Sequence, residues 1–244
     1  MSSGALRVLA PQAFSHALDA LAAAFSQAGG GAVQVIYGPA AGTSDAAITA
    51  RLARAEPADV VLLPNRLLDE QAQAGRVVGS SRAQIMRSSI GMCVRQGQDV
   101  PDIGSVADLT RTLLHAGSVA LSVAGSGEYV SKKLFQRLGI EAEMAARCTF
   151  HDSEAVGQVV ARGAAELGFQ QICELLPVPG ISFAGALPEE VQLHTDVAMG
   201  LLSASTRPVL ADRWLAYLQS PNAQAVFTAA GLTTPCKANG DSLS

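Results

Sequence analysis

Apolar positions along the chain fall into two kinds of run. Leu6-Arg7-Val8-Leu9-Ala10, Val33-Gln34-Val35-Ile36-Tyr37 and Val60-Val61-Leu62-Leu63 are short and nearly continuous, and predict strands. Between the first two, Phe14, Ala17, Leu18, Leu21 and Phe25 recur at helical spacing and stop at Gly29-Gly30-Gly31. A second helix passes through Ile48, Leu52 and Ala55 before the turn at Pro57. Strand, helix, strand, helix, strand, with strands apolar on both faces, predicts a parallel sheet covered on both sides.

The pattern then restarts. Ile90 to Val94 and Ser118 to Ser122 read as strands around a helix from Val106 to Leu114. Gly125-Ser126-Gly127 opens a helix from Glu128 to Leu138 that stops at Gly139. Glu154 to Arg162 reads as a helix, Leu167 to Gln171 as a strand, and Val197 to Leu202 as extended chain. Leu210 to Leu218 and Asn222 to Ala230 read as helices, with Pro221 in the first turn of the second. No linker rich in Pro, Gly or Ser separates the two α/β units, which predicts interleaved lobes.

Composition narrows the function classes. The 244 residues are 49% hydrophobic and 16% charged, with a net charge of −4. This fits a packed globular chain and argues against nucleic-acid binding. Cys93, Cys148, Cys173 and Cys236 are too widely spaced for a zinc ribbon or redox pair, and read as free thiols; no metal or cofactor is implied. No apolar run is long enough to span a membrane. The opening MSSGALRVLAPQ lacks the basic and apolar regions of a secretory signal. The expectation is therefore a cytoplasmic location, or a periplasmic one if a signal has been removed.

Five segments together carry a family resemblance. They are Arg7-Val8-Leu9-Ala10 with Ala17-Leu18, Glu56-Pro57-Ala58-Asp59-Val60, Lys132 through Gly139, Glu166-Leu167-Gly168-Phe169, and Ser220-Pro221-Asn222-Ala223-Gln224. In their order and spacing the chain resembles the molybdate-binding proteins of the type 2 periplasmic-binding fold, over nearly its whole length. The resemblance implies an α/β fold of two lobes, with mixed, mostly parallel sheets, helices on both faces and a ligand cleft between the lobes. It implies a first lobe of residues 1–84 and 194–244 and a second of residues 85–193. The chain would cross near Arg82 to Ser89 and Leu193 to Gly200.

The resemblance also implies four ligand loops: Gln12-Ala13-Phe14 behind Pro11, Gly42-Thr43-Ser44-Asp45, Gly125-Ser126-Gly127-Glu128, and Asp152-Ser153-Glu154 with Gln170-Gln171. Helix N-termini and neutral hydroxyls suit a small anion, although Ser, Thr and Gly before a helix are also ordinary caps. The molybdate binders carry a serine where Ala13 stands and a tyrosine where Gln171 stands. These departures point to an organic di- or tricarboxylic acid rather than molybdate.

Arg87, near a crossing, is a candidate to grip a carboxylate or else a surface arginine. Binding with hinge closure is the first expectation, with a transporter permease as partner only if the chain is exported. The alternative is an isomerase similar to the aconitate isomerases, with Glu128 or His151 moving the proton. For Glu128 the competing reading is a first-turn carboxylate that complements the helix dipole. For His16 and His151 the competing reading is a structural or solvated histidine, and His115 and His194 have no site context.

Overall fold

The computed structural model describes residues 4–152 and 154–234; Ser153 and Cys236 lie outside the described residues. The described residues up to Arg87 and from Thr195 onward form one compact unit, and Ser88 to His194 form a second. Each is built on its own five-stranded sheet.

In the first unit, β1 (Leu6–Pro11), β2 (Val33–Gly38) and β3 (Val60–Pro64) are joined by β10 (Thr195–Leu201) and β4 (Ala83–Ser88) in the order β2-β1-β3-β10-β4. β1 is parallel to both β2 and β3, and β10 runs antiparallel to β3. The helices α1 (Ser15–Gln27), α2 (Ile48–Ala53) and α3 (Asn65–Gln73) follow the parallel strands. Val60 to Leu63 are fully buried because helices or loops cover both faces of their strand. Leu9, Val61 and Leu63 pack with Ile48, Leu52 and Leu68.

The closing helices α10 (Pro208–Leu218) and α11 (Pro221–Ala229) belong to this unit. The Trp214 ring meets Phe25 of α1 edge-on at 5.2 Å. The Ser-Pro start of α11 has a local cause: the Ser220 hydroxyl accepts from the Ala223 N–H, and Pro221 fills the first turn, where no N–H is needed.

The second unit repeats the plan with β5 (Ile90–Arg95), β6 (Val119–Ser122), β7 (Cys148–His151), β8 (Leu167–Gln171) and β9 (Ile181–Ala186), in the order β7-β6-β8-β5-β9. β6 is parallel to β7 and β8, and β5 is antiparallel to β8 and β9. Its helices are α4 (Val106–His115), α5 (Ser126–Tyr129), α6 (Phe135–Leu138), α7 (Glu141–Met144), α8 (Val156–Ala161) and α9 (Ile172–Leu175). One face of the sheet packs Met92, Leu121 and Phe169, and the other packs Cys93, Ala120 and Val160.

One expectation is revised. The helix predicted from Glu128 to Leu138 is split: a π-helical turn at Val130–Leu134 joins α5 to α6, an irregularity that apolar spacing does not reveal. Within the stretch from Arg82 to Ser89, residues 83–88 form β4 and extend the first sheet. Cys93, Cys148 and Cys173 carry free thiols. No helix among the described residues is long and apolar enough to cross a membrane.

Candidate functional site

In each unit the parallel strands end on one edge, and the candidate residues gather there, because loops at the carboxyl ends of parallel strands lead into helix starts. In the second unit this edge is a polar network. β6 ends at Ser122, whose hydroxyl accepts from the Gly127 N–H at 3.1 Å and lies 3.4 Å from the Ser126 hydroxyl. Ser126 is buried. Only glycine fits at position 127, since a Cβ there would sit 1.9 Å from the Ser122 carbonyl oxygen.

The end of β8 continues the network. Gln170 is buried; its Oε1 accepts from the Val156 N–H in the first turn of α8 at 3.2 Å, and its Nε2 donates to Glu174 Oε1 at 2.9 Å. Gln171 points to the opposite face of the strand and accepts from the fully buried Ser88 hydroxyl at 2.6 Å. Burial pushes the Glu174 carboxyl up to about 7, although the bonds from Gln170 and the Gln171 backbone favour its charged form. Burial, then the neighbouring Glu174 charge, pushes the Cys173 thiol up to about 12. Glu174 therefore changes charge near neutral pH.

In the same unit, the Ser89 hydroxyl lies 2.9 Å from His194 Nδ1, and His194 Nε2 lies 2.8 Å from Glu189 Oε1. Gln192 receives the Ile90 N–H at 2.9 Å and donates to the Ile90 carbonyl at 2.9 Å, holding the start of β5.

The first unit's edge is plainer. Behind β1, Gln12 is exposed and its amide donates to the Ser15 hydroxyl at 3.3 Å, while Phe14 is buried as part of the core. Ala13, half-buried between them, offers no side-chain donor. Thr43 and Ser44 are exposed, and the Ser44 hydroxyl accepts from the Ala46 N–H at 3.2 Å in a local turn. Arg87 Nε and Nη2 hold the two oxygens of Asp196 at 2.6 and 3.0 Å. The carboxylate it grips thus belongs to its own unit.

The family described as bacterial extracellular solute-binding protein matches residues 6–233. The chain belongs to this family. It is also 39% identical to an aconitate isomerase of Pseudomonas sp. over 227 residues, covering 93% of this chain and 87% of that one. Among solved structures it is similar to the periplasmic molybdate-binding protein of Azotobacter vinelandii, with a TM-score of 0.75 and 19% identity over 94% of this chain and 99% of that one. It is similar too to the sulfate-binding protein SubI of Mycobacterium tuberculosis, with a TM-score of 0.70 and 16% identity over 96% of this chain and 88% of that one. At these identities the structural likeness establishes the two-lobed periplasmic-binding fold and its mixed sheets.

Within this solute-binding chain, Ser126, Gly127, Gln170 and Gln171 stand on one edge of the second sheet. Gln12, Ala13, Phe14, Thr43 and Ser44 stand on the corresponding edge of the first. Glu128 lies in the first turn of α5 with its side chain exposed; Lys132 Nζ donates to it at 2.9 Å, and that bond lowers its pKa. The cause is the i,i+4 spacing on the helix surface. His151 closes β7 with its Nε2 3.0 Å from the Thr149 hydroxyl.

Sequence reasoning missed Ser88, Ser122, Glu174 and the Ser89–His194–Glu189 chain. A signal existed for Glu174: an acid three residues past Gln171, the residue that caps α9, is the third position of a helix start.

Proposed function

We propose that this solute-binding chain recognises a small organic polyacid of the aconitate type, using the hydroxyl- and amide-bearing loops at the carboxyl edges of its sheets. The observation that carries the reading is the 39% identity to an aconitate isomerase across 93% of the chain. The side-chain chemistry is consistent with it. Ser122, Ser126 and Gln171 are neutral groups on rigid strand ends and helix starts, which can meet carboxylate oxygens without burying a countercharge. The family description speaks of extracellular proteins; under pure binding, the partner would be a transporter permease.

A thermal-shift series with cis- and trans-aconitate, citrate, molybdate, tungstate and sulfate tests this reading. A ligand that binds only the folded chain raises the melting temperature by mass action. Stabilisation by the tricarboxylates supports the proposal, and stabilisation by molybdate or tungstate alone overturns it.

A second reading, isomerase activity, is favoured by Glu174. A base takes a proton from the methylene carbon next to the double bond, and the electron pair delocalises into the adjacent carboxylate system. The proton returns at the far allylic carbon, so the double bond moves and nothing is gained or lost. A base for this step works best with a pKa near the working pH. Glu174, pushed up to about 7 by burial, meets that condition, whereas Glu128 does not. Incubation of one aconitate isomer and proton NMR of the mixture decides the matter. Conversion that disappears in Glu174→Gln, with binding kept, assigns the proton to Glu174; unchanged conversion in that variant removes it from the role.

A further inference from the structure

The edge of the first sheet opposite the ligand loops holds a pocket of about 490 Å³, where β1 begins, α2 and α3 end, and the chain leaves β10. That volume is within the range of small-molecule sites. Arg7, Arg76 and Arg207 line it, with Leu52, Pro57 and Leu202 among its apolar walls.

The charges in this pocket do not cancel. Asp59 accepts from the Arg7 backbone N–H at 2.9 Å and from the Ser205 hydroxyl at 3.0 Å, and pairs with Arg207 at 3.5 Å. Glu56 pairs with Arg51 at 2.9 Å. Arg76 donates to the neutral Gln71 Oε1 at 3.2 Å. Among the described residues, neither the Arg7 nor the Arg76 side chain forms an ion pair, although Glu56 and Asp59 share the pocket wall.

Arg7 is the more telling of the two. Its Nε is enclosed and has no hydrogen-bond partner among the described residues. A buried charged donor left without an acceptor is costly, and such a group calls for a ligand or another acceptor. Helix carbonyls do not fill this role. The Arg51 carbonyl accepts from the Glu56 N–H, the Gln71 carbonyl from the Arg76 N–H, and the Gly75 carbonyl from the Ser203 hydroxyl. Ala55 on the pocket wall has φ of 53°, the one positive φ outside glycine among the described residues, and backbone of this kind gathers at ligand sites.

We infer that this pocket is a second binding site, for a small organic dianion of the dicarboxylate class, with its charges on Arg7 and Arg76 and its carbon chain against Leu52, Pro57 and Leu202. Its residues take no part in the polyacid loops of the proposed function.

Titration of the ¹⁵N-labelled chain with succinate tests the inference, with the Arg7 Nε–H resonance reporting this pocket and the Gln171 side-chain amide reporting the other site. The expected result is a saturable shift of the Arg7 resonance, weakened roughly tenfold in Arg76→Gln. Arg76 is exposed, so that variant keeps the fold. An unmoved Arg7 resonance, or an affinity unchanged in Arg76→Gln, overturns the site. A shift confined to Gln171 overturns it while leaving the polyacid reading in place. A shift confined to Arg7 supports the pocket and counts against succinate at the loops.

Discussion

In the first unit the edge that ends the parallel strands presents Gln12, Thr43 and Ser44 to water, with Gln12 and Ser44 hydrogen-bonded to near neighbours in sequence. In the second unit the matching edge is a polar network anchored on the buried Ser126, Gln170 and Ser88. Ser122, Ser126, Gln170, Gln171, Ser88 and Glu174 are bonded to one another or to backbone from other elements. The strand plan is the same in both sheets. Strand order therefore sets where polar loops collect, while burial decides how firmly each is held. A buried group without its partner forfeits its hydration, so its geometry is fixed. An exposed hydroxyl can exchange its partner for water at little cost.

Substitutions at the two edges should therefore differ sharply. Gly127→Ala drives a Cβ against the Ser122 backbone, and should destabilise the chain by about 3 kcal/mol or more, read by denaturant unfolding. A loss close to that of a surface change would show that the Ser122 loop yields easily, and the contrast would weaken.

Glu174→Gln tests the electrostatics of the network. Because burial raises the carboxyl from 4.5 to about 7, the folded chain holds a proton that the unfolded chain releases between those values. Stability owed to the protonated form is full below about 4.5 and declines as pH rises through 7, by roughly 3 kcal/mol at the upper end. The glutamine variant should remove that decline and be the more stable protein at pH 8. Thermal unfolding across pH checks it, and an identical pH slope in both proteins would place Glu174 in a wetter setting.

Ser88→Ala removes the hydroxyl that Gln171 accepts and leaves that amide oxygen short of a donor. A loss of about 1–2 kcal/mol is expected. Thr43→Ala on the first edge should change stability by less than about 0.5 kcal/mol, since the side chain is exposed. Its effect should fall on ligand affinity instead, measured by calorimetry with aconitate. A stability loss equal to that of Ser88→Ala would erase the difference between the edges.

Much of this was legible along the chain. The continuous apolar runs marked β1, β3, β5 and β8, because strands buried on both faces need no alternation. The spaced apolar residues marked α1, α4, α10 and α11. β7 and β9 escaped notice because they are outer strands that hold no fully buried residue, so neither shows a continuous apolar run. Gln170 and Gln171 were legible as the end of a strand, and Ser126 and Gly127 as the start of a helix. The lowered pKa of Glu128 was decided by Lys132 one helical turn away.

By itself, the sequence determined the α/β alternation, the placing of polar loops after apolar strands and the family resemblance. These depend on local periodicity and on residue order. Tertiary structure alone decided that burial raises the pKa of Glu174 while Lys132 lowers that of Glu128, that Ser88 meets Gln171 across 83 residues, and that Arg87 is engaged by Asp196. Burial and long-range pairing depend on which elements become neighbours, and that information is absent from any single stretch of chain.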